Sequence, residues 1–144
     1  MESWSLITLK TSNGMSQVFY FVAAKFVDLE LVTTRKTAKK AEKECVERGG
    51  HLVSIHSQEE KNRVRETMEN SARVWIGLKR RTGNNGAWVW WDKTEVDFGE
   101  WTPDVTTEDQ NYVSMKADGS WEAQTEGEKL PFVCKMINNC PLSE

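Results

Sequence analysis

The stretch VWIGLKRRTGNNGAWVWWDKTEVDFGEW runs from Val74 to Trp101 of this 144-residue chain. The apolar residues change to a period of two at its start, which favours strands over helices. Tryptophan combines a large apolar ring with one polar N–H, so it serves both core packing and binding surfaces. Five of the seven tryptophans fall here, and their packing bears on both the fold and the ligand site: Trp75, Trp88, Trp90, Trp91 and Trp101.

The composition is that of an ordinary globular domain, with 38% hydrophobic and 28% charged residues. The net charge of −3 is too small to indicate nucleic acid or a membrane surface as the partner. No apolar run is long enough to span a bilayer. The start, MESW, lacks the basic and apolar segments of a secretory signal. We therefore expect either an intracellular protein or a piece of a larger secreted or membrane protein.

Strands and two helices are predicted before this stretch. Residues 18–32 are rich in β-branched and aromatic side chains and predict one or two strands. Residues 37–50 predict a helix that ends at Gly-Gly, and 51–57 predict a short buried strand. Ser57 and Glu60 have the spacing of a capping box, which predicts the start of a second helix.

Antiparallel strands are predicted from residue 74 onward. In the second of them, Trp88 and Trp90 point to one face and Trp91 to the other. Asp118-Gly119 predicts the turn of a later hairpin. Two helices followed by antiparallel strands indicate an α+β domain. The strand regions share a period of two or a short apolar run: residues 74–78, 87–91, 112–123 (the hairpin) and 130–136.

A series of short motifs resembles the C-type lectin-like domain. In order, they are a helix with a cysteine, Gly-Gly, LVSIHSQEE, WIGL, WVWWD, FGEW, GSW and PFVC. The resemblance covers roughly residues 18–136. It implies a double-loop α+β fold, in which two helices flank small antiparallel sheets. Residues 1–17 would then be an N-terminal extension or linker, with an extra strand as the alternative, and residues 137–144 a C-terminal tail.

The three cysteines lack the spacing of a zinc site, and composition alone leaves open one disulfide or three free thiols. The resemblance implies a disulfide between Cys45 and Cys134, which match the family's bridge from the first helix to the closing strand. A disulfide favours an oxidising, extracellular compartment. Cys140 has no partner within the domain. The family's second disulfide is lost, since its positions are matched by Tyr112 and Glu126.

The resemblance also assigns the tryptophans. Trp91 stands where the family often has a small polar residue, so Trp91 and Trp4 are expected to be the most exposed, with packing against neighbours as the alternative. Trp88 matches a position that is usually aromatic. The remaining four match positions that pack in the core or under the long loop: Trp75, Trp90, Trp101 and Trp121.

Sugar binding in this family requires a calcium ion, which takes six to eight oxygen ligands. Lectins of the family supply them from a Glu-Pro-Asn or Gln-Pro-Asp triplet in the long loop and from an Asn-Asp pair after the GSW tryptophan. Here the loop WTPDVTTEDQNYV has no such triplet, and Glu122-Ala123 replaces the pair. We therefore expect no cofactor and no calcium-dependent binding of monosaccharides. The alternative is an atypical oxygen site: Asp104, Glu108, Asp109 and Glu122.

Catalysis is not expected. His51 and His56 are predicted to point to opposite faces, and no serine or cysteine stands in a recognisable nucleophilic setting. The paired carboxylates near Glu95 and Asp97 do not by their spacing define the pocket that a glycosidase needs. Two basic clusters, RKTAKKAEK and Lys79–Arg81, favour solvated faces, with weak binding of a sulfated glycan or an acidic protein as the sharper hypothesis. Such binding should be lost in moderate salt.

The sequence thus predicts a non-catalytic extracellular recognition module that binds a protein ligand without calcium. A lectin with an atypical calcium site and a sulfated-glycan binder are the alternatives. One repeat of a mannose-receptor-type receptor and a free-standing secreted protein both fit, since many repeats of such receptors do not bind sugar. The candidate ligand-binding residues belong to the long loop and to the strands beside it: Lys79, Arg80, Arg81, Trp91, Asp104, Val105, Thr106, Thr107, Glu108 and Asp109.

Overall fold

The computed structural model describes residues 5–10, 16–22, 25–81, 86–98 and 109–139. The chain divides into two compact units. One combines residues 1–28 with 136–144, and the other comprises residues 29–135.

The first unit contains an antiparallel hairpin. Strand β1 (Ser5–Lys10) pairs with β2 (Ser16–Val22), from Ser5 opposite Phe21 to Lys10 opposite Ser16. The end of β2 then pairs with the start of β3 (Lys25–Lys36). The apolar stretch 18–32 therefore forms two strands, and β1 lies within the residues that the resemblance assigned to an N-terminal extension.

The 29–135 unit combines two helices with a mostly antiparallel sheet, which confirms the α+β prediction. Strands β9, β5, β7 and β8 lie side by side in that order, β4 pairs with β9, and β6 pairs with β5. Pairing is antiparallel except between β5 and β9, where Trp75 lies opposite Phe132. The elements that follow β3 are α1 (Ala38–Glu47), β4 (His51–Leu52), α2 (Gln58–Thr67), β5 (Arg73–Arg80), β6 (Trp88–Trp90), β7 (Gln110–Lys116), β8 (Trp121–Thr125) and β9 (Leu130–Asn139).

The core of this unit lies between α2 and the sheet. Trp90 is 2% exposed within it, and the buried Trp75 donates its Nε1–H to the Lys36 carbonyl at 2.7 Å. Both tryptophans were predicted to pack in the core or under the long loop, and both are buried in the core. The members of the main cluster are apolar and almost fully buried: Val53, Ile55, Val64, Met68, Val74, Ile76, Leu78, Trp90, Val113, Met115 and Val133.

Gly77, within the WIGL motif, permits the close approach of β5 to the chain after β4. Its N–H donates to the Val53 carbonyl at 2.8 Å. A Cβ at this position would lie 2.5 Å from the Leu52 carbonyl oxygen, well inside van der Waals contact. The backbone spacing here therefore requires glycine.

Two local predictions can be compared directly with the structure. The Cys45–Cys134 disulfide is confirmed, with a Cα–Cα distance of 5.4 Å and both cysteines fully buried. The capping box at the start of α2 is confirmed in one half, since the Ser57 Oγ accepts the Glu60 N–H at 3.1 Å. The other half is wrong, because the Glu60 carboxylate accepts a hydrogen bond from Lys135. An ionic partner in the interior satisfies that carboxylate better than an amide at the helix start.

Candidate functional site

At the ends of β5 and β6, cations lie over tryptophan rings on both faces of the ribbon. Arg80 lies opposite Trp88 in the ladder, one position along from Lys79. Neighbouring strand residues point to opposite faces. The Lys79 Nζ lies 5.2 Å from the Trp91 ring centre, and the Arg80 guanidinium carbon 5.0 Å from that of Trp88. These residues and two neighbours in the turn are called the β5–β6 tip: Lys79, Arg80, Arg81, Gly86, Trp88 and Trp91.

Trp91 is half-buried at this tip. Its ring stacks on Tyr112, with centroids 5.7 Å apart and 14° between the ring planes. Tyr112 in turn makes an edge contact with the buried Trp75 at 6.5 Å. Trp91 therefore packs against neighbouring side chains, which was the alternative to full exposure. Tyr112 was not among the predicted site residues, because its contact with Trp91 depends on the pairing of β5 with β7.

Two of the five cations in the basic cluster around α1 have carboxylate partners. Lys36 pairs with Glu44 at 2.6 Å, and Lys39 pairs with Glu126 at 2.8 Å. The other three cations of that cluster and the cations of the tip have no ion pair within the described ranges. The Arg80 Nε is moreover buried without a hydrogen-bond partner among the described atoms. The tip is thus a positively charged surface that its own described surroundings do not neutralise.

A hydrogen-bonded network lies where the chain leaves β6 toward the long loop. The Asp92 carboxylate accepts hydrogen bonds from the hydroxyls of Ser54 and Thr94, both at 2.5 Å. The His56 Nδ1 lies 2.7 Å from Asp97 Oδ1, and its Nε2 lies 2.9 Å from the Thr94 hydroxyl. The network ties residues 92–97 to the chain between β4 and α2. These five residues are called the loop-base network.

Ser54, His56 and Asp97 have the connectivity of a catalytic triad, with the Ser54 Oγ 3.2 Å from the His56 Nε2. A nucleophilic serine must reach its substrate and pass its proton to the histidine. Ser54 is fully buried, and its hydroxyl donates to Asp92 instead. The Ser54 Oγ also accepts a hydrogen bond from the Lys135 ammonium at 3.2 Å. The three residues therefore anchor the loop rather than form a nucleophile.

Asp92 is the ionised centre of the loop-base network. Burial raises the pKa of its carboxyl, but hydrogen bonds from Ser54 and Thr94, together with the Lys135 charge, outweigh burial and hold the pKa below its ordinary value. Since a lowered pKa means that the folded state favours the carboxylate, Asp92 stabilises the fold at neutral pH. That contribution disappears as pH falls through the folded-state pKa.

A buried ion pair lies beneath the loop-base network. The Lys135 Nζ on β9 donates to Glu60 Oε2 on α2 at 2.9 Å and to the Ser54 carbonyl at 3.1 Å. The two charged side chains are only 5% and 8% exposed. This pair connects α2, β9 and the serine that holds Asp92.

The positions that match the family's calcium ligands after the GSW tryptophan do not fit a calcium ion. Glu122 lies 3.2 Å from the Arg73 guanidinium and 3.9 Å from the Lys116 ammonium, which neutralise its carboxylate. Ala123 is 2% exposed and has no side-chain oxygen. In the described part of the chain, no group of three or more His, Cys, Asp or Glu residues is arranged to hold a metal.

The central part of the predicted ligand surface lies outside the described residues. Asp109, the last candidate residue of the long loop, is described; it is exposed and immediately precedes β7. Trp101 and Cys140 are outside the described residues as well, as are five of the candidate ligand-binding residues: Asp104, Val105, Thr106, Thr107 and Glu108.

Tyr112 and Glu126, which match the family's lost second disulfide, lie close to the same lysine. A hydrogen bond to Glu126 and the proximity of Tyr112 raise the pKa of Lys39. Neither side chain can form a disulfide, and Glu126 instead pairs with Lys39 at 2.8 Å.

Comparison with known proteins covers most of the 29–135 unit. The family model of the lectin C-type domain matches residues 34–136. Struthiocalcin-2 of Struthio camelus is 30% identical over 113 residues, which are 67% of this chain and 79% of that protein. The secretory phospholipase A2 receptor of Pongo abelii is 32% identical over 106 residues, 69% of this chain but only 7% of the receptor.

Solved structures agree with the sequence comparison. A calcium-independent type II antifreeze protein superposes with a TM-score of 0.68 at 26% identity, over 90% of this chain and 95% of that one. None of the helices in the described ranges is long and apolar enough to cross a membrane. From the family match, the identity with struthiocalcin-2 and the shared fold, we conclude that the chain belongs to the C-type lectin domain family.

Proposed function

We propose that the chain is a non-catalytic extracellular recognition module that binds a protein ligand, without calcium, through the long-loop face. The observation that carries the proposal is the pairing of Glu122 with Arg73 and Lys116 beside the buried Ala123. Two lectin ligand positions are thereby occupied by a neutralised carboxylate and a methyl group. The shared fold with a structure described as calcium-independent supports a stable domain of this kind without the ion.

Trp91 is the best-supported contact residue for a protein ligand in the described part of the long-loop face. Its stack on Tyr112 and its contact with Lys79 hold the ring in one orientation before binding. Preorganised aromatic side chains lose little entropy on binding and are enriched among interface hot spots. Val96, 40% exposed on the segment next to the loop-base network, adds apolar surface.

An extracellular location is supported by the buried Cys45–Cys134 bridge, since disulfides persist in oxidising compartments. The match to a receptor supports it as well. The absence of catalysis is supported by the buried position of Ser54, whose hydroxyl donates to Asp92. In this proposal the scaffold supplies rigidity and the loop face supplies the contacts.

Calcium should not change the thermal stability of the domain. We expect the same melting midpoint in millimolar calcium and in EDTA, because a ligand that does not bind the folded state does not stabilise it. Differential scanning calorimetry of the full chain makes the measurement, with magnesium as the control ion. A calcium-specific rise of several degrees would show that the acidic loop binds the ion, and the proposal of calcium independence would then be wrong.

Trp91→Ala should weaken binding to a protein ligand by about 2 kcal/mol, or roughly 30-fold, as expected for a hot-spot aromatic. The ligand is first sought by applying the chain in EDTA to arrays of purified extracellular proteins and of glycans. Val46→Ala is the matched control, since Val46 is a 51% exposed apolar residue on α1. Calcium-dependent binding to the glycan array, or equal protein binding by both variants, contradicts the proposed site.

A further inference from the structure

His56 contacts the rest of the loop-base network through both of its ring nitrogens. Its Nδ1 lies 2.7 Å from the Asp97 carboxylate. Its Nε2 lies 2.9 Å from the Thr94 hydroxyl and 3.2 Å from that of Ser54. A neutral imidazole carries one N–H and one acceptor nitrogen, whereas the protonated ring carries two N–H groups. The partners of the two nitrogens therefore indicate the protonation state of the ring.

The two hydroxyls beside Nε2 already donate their hydrogens elsewhere. Each hydroxyl has a single hydrogen. Those of Ser54 and Thr94 both donate to the Asp92 carboxylate, at 2.5 Å. Although burial raises the pKa of Asp92, these hydrogen bonds hold it below the ordinary value, so the carboxylate is ionised and has no hydrogen to donate. Only oxygen lone pairs then face Nε2 of His56, and Nε2 must carry a hydrogen.

The partner of Nδ1 requires a donor as well. The Asp97 side chain is 50% exposed, and an ionised carboxylate accepts hydrogen bonds but donates none. Nδ1 must therefore carry a hydrogen too, and its distance of 2.7 Å from Asp97 is typical of a charge-assisted hydrogen bond. With both nitrogens as donors, His56 is a positively charged imidazolium in this arrangement.

The charged groups described in this part of the molecule favour that state. Carboxylates outnumber cations among them, and negative charge attracts an imidazolium. The Trp90 ring, with its centre 6.0 Å from that of His56, adds no charge. Lys135 donates to Glu60 at 2.9 Å, so that pair is neutral as a unit. The groups come from three parts of the chain: Asp92, Lys93, Glu95 and Asp97 after β6, Glu60 on α2 and Lys135 on β9.

Loss of one proton from His56 would break one of its contacts, because a nitrogen lone pair would then face an oxygen lone pair. Asp97 is half-exposed and can turn toward water. Ser54 is fully buried, so water cannot replace a hydrogen bond lost at its hydroxyl. The neutral ring is therefore expected to keep its hydrogen on Nε2 and to release the Asp97 carboxylate.

We propose that His56 is a pH-dependent switch for residues 95–97: its imidazolium holds Asp97, and the neutral ring releases it. Histidine ordinarily changes charge between about pH 5 and 8. The attachment is complete at the acidic end of this range and is lost as pH rises through it. Val96, 40% exposed, belongs to the same segment, so mild acid holds this part of the proposed ligand surface in place. That consequence rests on the function proposed above, whereas the switch itself does not.

The test follows an isotope-labelled sample of the full chain by NMR at about pH 5 and about pH 8, the ends of this range. Both ring nitrogens of His56 should carry hydrogen at the lower pH, and only Nε2 at the higher. The amide signals of Val96 and Asp97 should shift together with those of the ring. A neutral ring with its hydrogen on Nδ1, or Val96 and Asp97 signals that do not change as the ring titrates, would overturn the proposal.

Two matched variants identify the histidine responsible. His56→Asn keeps an N–H donor near the position of Nδ1 but cannot lose it in this range, so the pH response of Val96 and Asp97 should disappear. His51→Asn is the control, since the His51 Nδ1 also meets a carboxylate, that of Glu42 at 2.6 Å. It should leave the response unchanged. A full response in His56→Asn, or its loss in His51→Asn, would contradict the switch. If the melting midpoint shows that His56→Asn does not fold, the ring and amide signals of the unaltered chain still decide.

The NMR measurements need no ligand, so they test the switch separately from the proposed function. Once a protein ligand is identified, its binding should be tighter at about pH 5 than at about pH 8. Binding that does not depend on pH, in a chain whose Val96 and Asp97 signals respond as expected, would support the switch and contradict the contribution of Val96 to the ligand surface.

Discussion

Alanine at both Cys45 and Cys134 is expected to lower the free energy of unfolding by about 4.6 kcal/mol, the chain-entropy value for a bridge that closes a long loop. The bridge joins residues 89 positions apart and ties α1 to β9. For a domain of this size, the melting midpoint should fall by roughly 15 °C. Urea unfolding followed by tryptophan fluorescence gives the free energy, and calorimetry gives the midpoint.

Two controls distinguish the effect of breaking the disulfide bond from the effect of removing its two buried sulfur atoms. Both cysteines are fully buried, so alanine also removes packing. Reduction of the unaltered chain breaks the bond but keeps both sulfurs, and should reproduce most of the loss. Cys140→Ser leaves the bridge intact and should not change the midpoint. A loss below about 1 kcal/mol on reduction would mean that the unfolded chain gains little freedom when the bridge opens.

Patterns of neighbouring residues predicted both helices and most strands of the 29–135 unit correctly. The strand predicted over residues 51–57 is wrong beyond Leu52, where β4 ends. α1, α2 and β5 each lie where the hydrophobic period indicated them. These signals depend on residues within a few positions of each other, and a helix or strand must bury its apolar face wherever it packs. The turn at Asp118-Gly119 was predictable for the same reason, since Gly119 has a φ of 90°.

Patterns of neighbouring residues did not predict the contacts that build the candidate site. His56 and Asp97 are 41 positions apart, and each is an ordinary polar residue in its own neighbourhood. The stack of Trp91 on Tyr112 requires the register between β5 and β7, which contains an irregularity between Trp75 and Lys79. A bulge changes which side chains meet, and hydrophobic alternation does not specify it.

The resemblance predicted what the residues alone left open. The cysteine count allowed one disulfide or three thiols, and only the family pattern selected Cys45 with Cys134. The family pattern also showed that Glu122-Ala123 replaces the Asn-Asp pair, so that the aspartate oxygen is lost. It did not reveal that Arg73 and Lys116 neutralise Glu122, because these partners lie on other strands, β5 and β7. Resemblance thus predicts shared contacts better than those particular to one chain.

Lys135→Met is expected to lower the free energy of unfolding by about 3 to 5 kcal/mol, because it leaves a buried carboxylate without its partner. The Glu60 side chain is only 8% exposed, and its Oε2 lies 2.9 Å from the Lys135 Nζ. Methionine fills a similar volume, so the lost charge rather than a cavity accounts for most of the effect.

The double variant Glu60→Met/Lys135→Met should recover most of that loss, since removing both charges leaves no unpaired buried ion. Urea unfolding of both single variants and the double variant gives the coupling energy from a double-mutant cycle. Lys39→Met is the matched control, because its ion pair with Glu126 is 2.8 Å long but has side chains 61% and 65% exposed. It should change stability far less, as solvent screens such pairs.

The same substitution links the core to the candidate ligand surface. The Lys135 ammonium contacts Ser54, Ser54 donates to Asp92, and Asp92 accepts the Thr94 N–H at 3.0 Å. Lys135→Met should therefore speed hydrogen exchange at the Thr94 amide beyond what global destabilisation explains. Exchange of the Gly77 amide, hydrogen-bonded to Val53 in the core, provides the internal reference. If both amides lose protection equally, the loop base opens only when the whole domain unfolds, and the ion pair stabilises the domain without controlling the loop.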